Sequence, residues 1–97
     1  MIEVVIASAA EEDFAEALTW YAERSIPAAE GFEAEFERVL ETMAAAPKRF
    51  PCCDDEHRFY LMRRYPFEVI FREESDERVV VIAVAHAKRE PRFWEDR

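Results

Sequence analysis

The spacing of apolar residues changes along the chain, and each change marks an element. Ile2 to Ala7 (IEVVIA) is short and β-branched and predicts a strand. Ser8-Ala9-Ala10-Glu11 follows, a pattern that predicts a capping box opening a first helix. Phe14, Leu18 and Tyr21 recur at helical spacing and mark its buried face, while Glu11, Glu12 and Asp13 fall where acids favour a helix start. Ser25-Ile26-Pro27 ends that helix, and Pro27 suits the first turn of a second one. Phe32, Phe36, Val39, Leu40 and Met43 form its stripe, with glutamates on the other faces and Pro47 beyond its end. The turn between the helices is short, so an antiparallel hairpin is expected.

Residues 47–57 (PKRFPCCDDEH) read as a loop. The period then becomes two. Arg58 to Met62 alternates loosely, and Phe67, Val69 and Phe71 alternate with Glu68 and Arg72. Glu73 to Glu77 reads as a turn, and Val79 to Ala85 (VVVIAVA) as a central strand buried on both faces. The predicted order is β-α-α-β-β-β: an α+β domain with a helical hairpin packed on a mainly antiparallel, twisted sheet whose last three strands form a meander.

At 97 residues, one domain spanning 1–97 is the expectation. Among the function classes, composition excludes several. One glycine rules out a Gly-rich phosphate loop, and no GxSxG or HExxH pattern occurs. Ser8, Ser25 and Ser75 sit where caps or turns explain them. Cys52 and Cys53 are adjacent and cannot staple distant segments; two reduced thiols in a loop is the plain reading, a vicinal disulfide or redox switch the alternative. No cofactor or metal is implied. No apolar run approaches the roughly 20 residues of a membrane span, and the acidic start MIEVVIASAAEEDF does not resemble a signal peptide, so a cytoplasmic location without membrane association is expected.

The net charge of −9 is uneven: residues 1–46 hold eleven acids and two arginines, whereas residues 47–97 hold eleven of each sign. That surface repels phosphate backbones, so direct DNA binding by this chain alone is not expected. The cations gather on the sheet segments and in the closing stretch His86–Arg97 (HAKREPRFWEDR). Arginines at a strand end can clamp phosphate or carboxylate, and a histidine there can move a proton. The competing reading is structural: arginines paired to the acids of the first half, His86 hydrogen-bonded at a strand terminus, and Trp94 anchoring the closing stretch.

Taken in order, the strand, Trp20-Tyr21, Phe32 through Leu40, Pro47, Arg63 through Phe71 (RRYPFEVIF) and Ile82 through Arg97 resemble the RelE/ParE superfamily of toxins from type II toxin–antitoxin systems. RRYPFEVIF is similar to the ParE-type R-F-P-Y-x-I-x-Y strand and HAKREPRFWEDR to its H-x-x-R-D-P-x-x-W ending. The resemblance implies a toxin neutralised by a cognate antitoxin. The ParE-like branch implies inhibition of DNA gyrase by binding, with Arg64, His86, Lys88, Arg89, Arg92 and Trp94 as the target-binding set. The RelE-like branch implies ribosome-dependent mRNA cleavage, with Arg64, His86 and Arg89 as the catalytic group. In that branch Arg64 matches an arginine opening the third strand, and Trp94 lies near the position of a tyrosine whose proton exchange a tryptophan cannot perform. The charge of −9 favours the ParE-like branch, because a ribosome-entering protein must face RNA. A domain that has lost toxicity is the third reading.

Overall fold

The computed structural model describes residues 2–97. Strand β1 (Glu3–Ile6) leads directly into helix α1 (Ser8–Ala22), three residues turn into helix α2 (Ile26–Ala45), and a short 3-10 turn (Pro47–Arg49) begins the connection to strands β2 (Arg58–Leu61), β3 (Phe67–Ser75) and β4 (Arg78–His86). The sheet order is β1-β4-β3-β2. β2, β3 and β4 form the expected antiparallel meander, and β1 adds parallel to β4 with Val5 opposite Val80. β4 is therefore central, and the hairpin between β3 and β4 turns at Asp76–Glu77, later than the sequence pattern indicated.

One face of the sheet packs on the helical hairpin. Phe32, Phe36, Val39 and Met43 of α2 meet Val69, Phe71, Val79 and Val81 of the sheet in one buried cluster. Phe14, Leu18 and Tyr21 are only half-buried, because they lie between the helices; the fully covered line of α1 is Ala10, Asp13 and Ala17. These small residues let α1 settle close on β4. The opposite face carries a second cluster, Ile70, Val80, Ile82, Ala83 and Ala85, closed by Trp94. A bulge separates the two patterns: Ile70 pairs with Ala83 and Phe71 with Val81, so Ile82 is the extra residue. Ile82 and Ala83 then both face Trp94, and Val84 returns to the helical side.

The capping box on Ser8 does not form. Ala7 donates its N–H to Val81 O at 3.0 Å as the last bond of the β1 ladder, and its carbonyl accepts the Glu11 N–H at 3.0 Å as the first bond of the helix. The strand thus passes into the helix with no spare residue, Ala7 is the N-cap, and Ser8 lies inside the first turn. Of the three acids expected at the helix start, only Glu11 is in that turn. The cap made by a side chain is at α2, where Ser25 Oγ accepts the Ala28 N–H at 3.2 Å.

Gly31, the one glycine, sits inside α2 because Tyr65 crosses there. The Tyr65 hydroxyl donates to Ala28 O at 2.7 Å, and a Cβ at position 31 would stand 2.5 Å from that oxygen. The ring packs edge-on against Tyr21 and Phe32 and has little freedom to withdraw. Alanine is intrinsically better than glycine in a helix by about 0.5–1 kcal/mol, so the sign of Gly31→Ala depends on Tyr65. The expected outcome is destabilisation by about 1 kcal/mol in the native background, from loss of the hydrogen bond, and stabilisation in a Tyr65→Phe background. Urea unfolding of the four proteins measures this; equal effects of Gly31→Ala in both backgrounds would remove Tyr65 as the cause.

Candidate functional site

The closing stretch does not leave the fold as a free arm. His86 ends β4 opposite Phe67, its ring edge-on to that phenyl at 4.9 Å between centroids. Its Nδ1 accepts the Lys88 N–H at 2.9 Å, which leaves Nε2 as the ring nitrogen able to donate outward. The Arg89 N–H donates to His86 O at 3.0 Å, completing a turn that sends the chain beneath the sheet. There Trp94 is buried at 4% exposure on the second apolar cluster.

The cations of this stretch divide by what holds them. Arg92, at a positive φ of 59°, donates from Nη2 to Asp54 Oδ2 at 2.6 Å and from Nε to Glu95. Arg92, with help from the Glu56 and His57 N–H groups, holds the Asp54 carboxyl well below the usual carboxylate range. Arg97 grips Asp13 with both terminal nitrogens, at 2.6 and 3.2 Å, and donates to Ile82 O at 3.1 Å. Arg89 lies over the Phe93 ring at 3.6 Å and 3.8 Å from Asp13, still half-exposed. Lys88 is exposed. Of the six residues singled out for target binding, Trp94 and Arg92 therefore hold the closing stretch in place, while His86, Lys88 and Arg89 remain at the surface.

Asp13 organises this corner, and sequence reading missed it within the acid run Glu11-Glu12-Asp13. β1 ends at Ile6, so beyond Val81 the edge of β4 is open. Asp13 Oδ2 accepts the buried Val84 N–H, which β1 does not reach, at 3.1 Å while Arg97 covers the Ile82 carbonyl. One carboxylate thus closes a sheet edge and anchors a segment more than seventy residues away. The signal available in the sequence was position: Asp13 lies three residues after Ala10 and four before Ala17, on the small-residue face that meets the sheet.

Several grooves open on this scaffold: a small one, of about 250 Å³, brings His86, Arg89, Arg92 and Trp94 together, and three larger ones border the helices. The first, of about 450 Å³, lies where α1 meets the ends of β3 and β4, lined by Ala17, Trp20, Pro66, Phe67, His86 and Arg89 among others. Trp20 stands on its rim at 52% exposure, with the Arg24 guanidinium 3.8 Å above the ring. The second, of about 730 Å³, separates α2 from β2 and has Arg38, Arg63 and Arg64 on its rim. Arg64 is not on a strand: β3 opens at Phe67, and Arg64 belongs to the loop before it. It therefore lines a different groove from His86 and Arg89, so the trio that the RelE-like resemblance implies is divided between two grooves. The third groove runs along the helical hairpin, with Ile6, Phe14, Phe36 and Leu40 between Glu11, Glu33 and Glu37.

Glu35, on the floor of the second groove, is 5% exposed. Its Oε2 accepts the Tyr60 hydroxyl and the Arg63 N–H, each at 2.8 Å. Burial works to raise this carboxyl, but those hydrogen bonds and the nearby Arg38 charge outweigh it and hold it below the ordinary glutamate range. Cys52 and Cys53 are free and exposed; partial desolvation of the Cys53 thiol and the neighbouring Asp54 charge push it up, away from the thiolate that redox chemistry needs. Among the described residues, no three His, Cys, Asp or Glu side chains are grouped to hold a metal ion. No helix among them is long and apolar enough to cross a membrane.

This mixed four-stranded sheet under a helical hairpin is the fold of a solved structure described as the chromosomal ParDE TA system from P. aeruginosa, with a TM-score of 0.76 over 91% of this chain and 98% of that one. At 14% identity the likeness speaks to the fold alone. Membership comes from the sequence: residues 4–91 match the family model described as "ParE toxin of type II toxin-antitoxin system, parDE", and the chain belongs to that family. No curated protein matches it.

Two outcomes test the site's construction. Asp13→Ala is expected to cost about 3 kcal/mol, near the low end for a broken buried pair, and Arg97→Ala less, because the carboxylate keeps the Val84 N–H. Denaturant unfolding decides, and equal small losses would mean that Asp13 is solvated. Glu35 gives a pH dependence. Its folded-state pKa lies below the unfolded value of about 4.3, so its contribution is present above that value and lost as pH falls through the folded one. Glu35→Gln should flatten the fall of the unfolding midpoint below pH ~4; parallel curves would contradict the assignment.

Proposed function

We propose that this ParE-family chain acts by binding, arresting DNA gyrase through the groove bounded by Trp20, His86 and Arg89, and that a cognate antitoxin neutralises it. The observation that carries the reading is the exposed Trp20 beside that groove. In a small domain with two covered sheet faces, a large indole left half in water and flanked by arginines has the composition of an interface hot spot. His86 offers Nε2 and Arg89 a half-exposed guanidinium on the same groove, so polar anchors border an apolar floor.

The antitoxin is assigned to the hairpin groove. Ile6, Phe14, Phe36 and Leu40 present an apolar floor between Glu11, Glu33 and Glu37, which suits a segment with apolar residues flanked by lysine or arginine. That charge pattern also fits the imbalance of the chain, whose acids gather in residues 1–46.

Pulse labelling of DNA and protein synthesis, minutes after inducing the chain alone in bacteria, tests the target. DNA synthesis should stop first; protein synthesis stopping first would direct attention to the ribosome. Trp20→Ala should relieve growth arrest by at least tenfold in surviving cells, without a change in melting temperature. Removing residues 89–97 is not an equivalent test, because it would also uncover the Trp94 face of the sheet.

A further inference from the structure

The groove between α2 and β2 has no part in that reading, and its charge runs against the rest of the chain. Acids outnumber lysines and arginines by 22 to 13, and most arginines that approach an acid are engaged: Arg58 with Glu73, Arg78 with Glu3 and Glu74, Arg92 with Asp54, and Arg97 with Asp13. Arg38, Arg63 and Arg64 differ. All three are exposed and line one groove, and among the described residues none has a carboxylate within ion-pair distance. Glu35 beneath them feels the Arg38 charge but stands outside ion-pair distance of all three guanidinium groups, and its Oε2 accepts the Tyr60 hydroxyl and the Arg63 N–H instead.

The rest of the lining has a consistent character. Gly31 and Ala34 keep the α2 wall low, and the buried Val39 and Phe50 give an apolar floor. We propose that this groove is a docking site for an acidic peptide segment, whose carboxylates pair with Arg38, Arg63 and Arg64 while an apolar side chain between them rests on Val39 and Phe50.

Charge decides between a peptide and a nucleic acid. A polynucleotide carries its charge continuously, and beyond this groove it would run along the glutamates of α2, Glu30, Glu33, Glu37 and Glu41, on a chain of net charge −9. A short peptide can concentrate its carboxylates on three guanidinium forks, whose planar geometry matches a carboxylate.

The probe is a fluorescein-labelled dodecapeptide of glutamates interspersed with leucines, titrated with the full chain at low ionic strength. Controls are its glutamine analogue and a single-stranded oligonucleotide of similar length. The acidic peptide should bind, and the paired substitution Arg63→Gln with Arg64→Gln should weaken it at least about tenfold, the loss of one charged hydrogen bond or more. Arg72→Gln, which removes a cation outside the groove, should leave binding within twofold. Amide shifts in the unsubstituted protein should map to residues 31–42 and 60–64, a readout independent of any variant's folding. Absent binding, equal binding of the glutamine analogue, tighter binding of the oligonucleotide, unchanged affinity in the paired variant, or shifts centred on His86 would each overturn the proposal.

Discussion

Strand β4 sets the terms for the rest of the molecule. From Val79 to Ala85 it has no polar side chain, and it lies between β1 and β3 with every one of those residues buried. A strand of that composition cannot leave either face to water, since each valine or isoleucine left uncovered forfeits about 1.5–3 kcal/mol. The helical hairpin covers one face. In so small a domain no second helical layer is available for the other, and the closing stretch performs that task with Trp94 as its main contact. The bulge at Ile82 follows the same logic: it sets two successive side chains, Ile82 and Ala83, against the tryptophan.

Covering that face brings a chain of thirteen cations and twenty-two acids into a defined arrangement. The segment that carries Trp94 must be held, and it is held by arginines: Arg92 on Asp54, and Arg97 on Asp13. Asp13 has a second duty at the β4 edge, where its carboxylate accepts the Val84 N–H. Such pairs, part-exposed at Arg92–Asp54 and buried at Asp13, are weak sources of net stability, though removing a partner of the buried one is costly. Their effect here is positional. By fixing the chain after His86, they leave His86 and Arg89 on the groove that Trp20 borders, and they account for much of the binding-capable side chain gathered near the end of the sequence.

Periodicity made the order of elements, the α2 stripe and the two-sided burial of β4 legible in the sequence. These are features that one segment specifies for itself. What periodicity does not encode is pairing between distant segments. The parallel docking of β1 on β4, the passage of residues 87–97 under the sheet and the capture of Arg97 by Asp13 each depend on a partner remote in the chain. Asp13 and Glu35 were hidden for a related reason. In a run of acids each looks solvated, and only the helical face shared with Ala10 and Ala17, or with Phe32 and Val39, distinguishes the buried ones. The candidate site divided similarly. His86 and Arg89 share a groove, Arg64 lies on another, and Arg92 and Trp94 serve the scaffold. Trp20 was quoted for its resemblance alone, since exposure cannot be read from residue type.

The central claim is that the closing stretch is part of the folded sheet and fixes the surface next to it. Acrylamide quenching of Trp94 fluorescence in a Trp20→Phe variant tests this most directly, because Trp94 is 4% exposed where the closing stretch lies against the sheet. The account predicts quenching far weaker than that of free tryptophan until the protein unfolds globally. Quenching close to that of free tryptophan in the folded protein would show a detachable arm and contradict it.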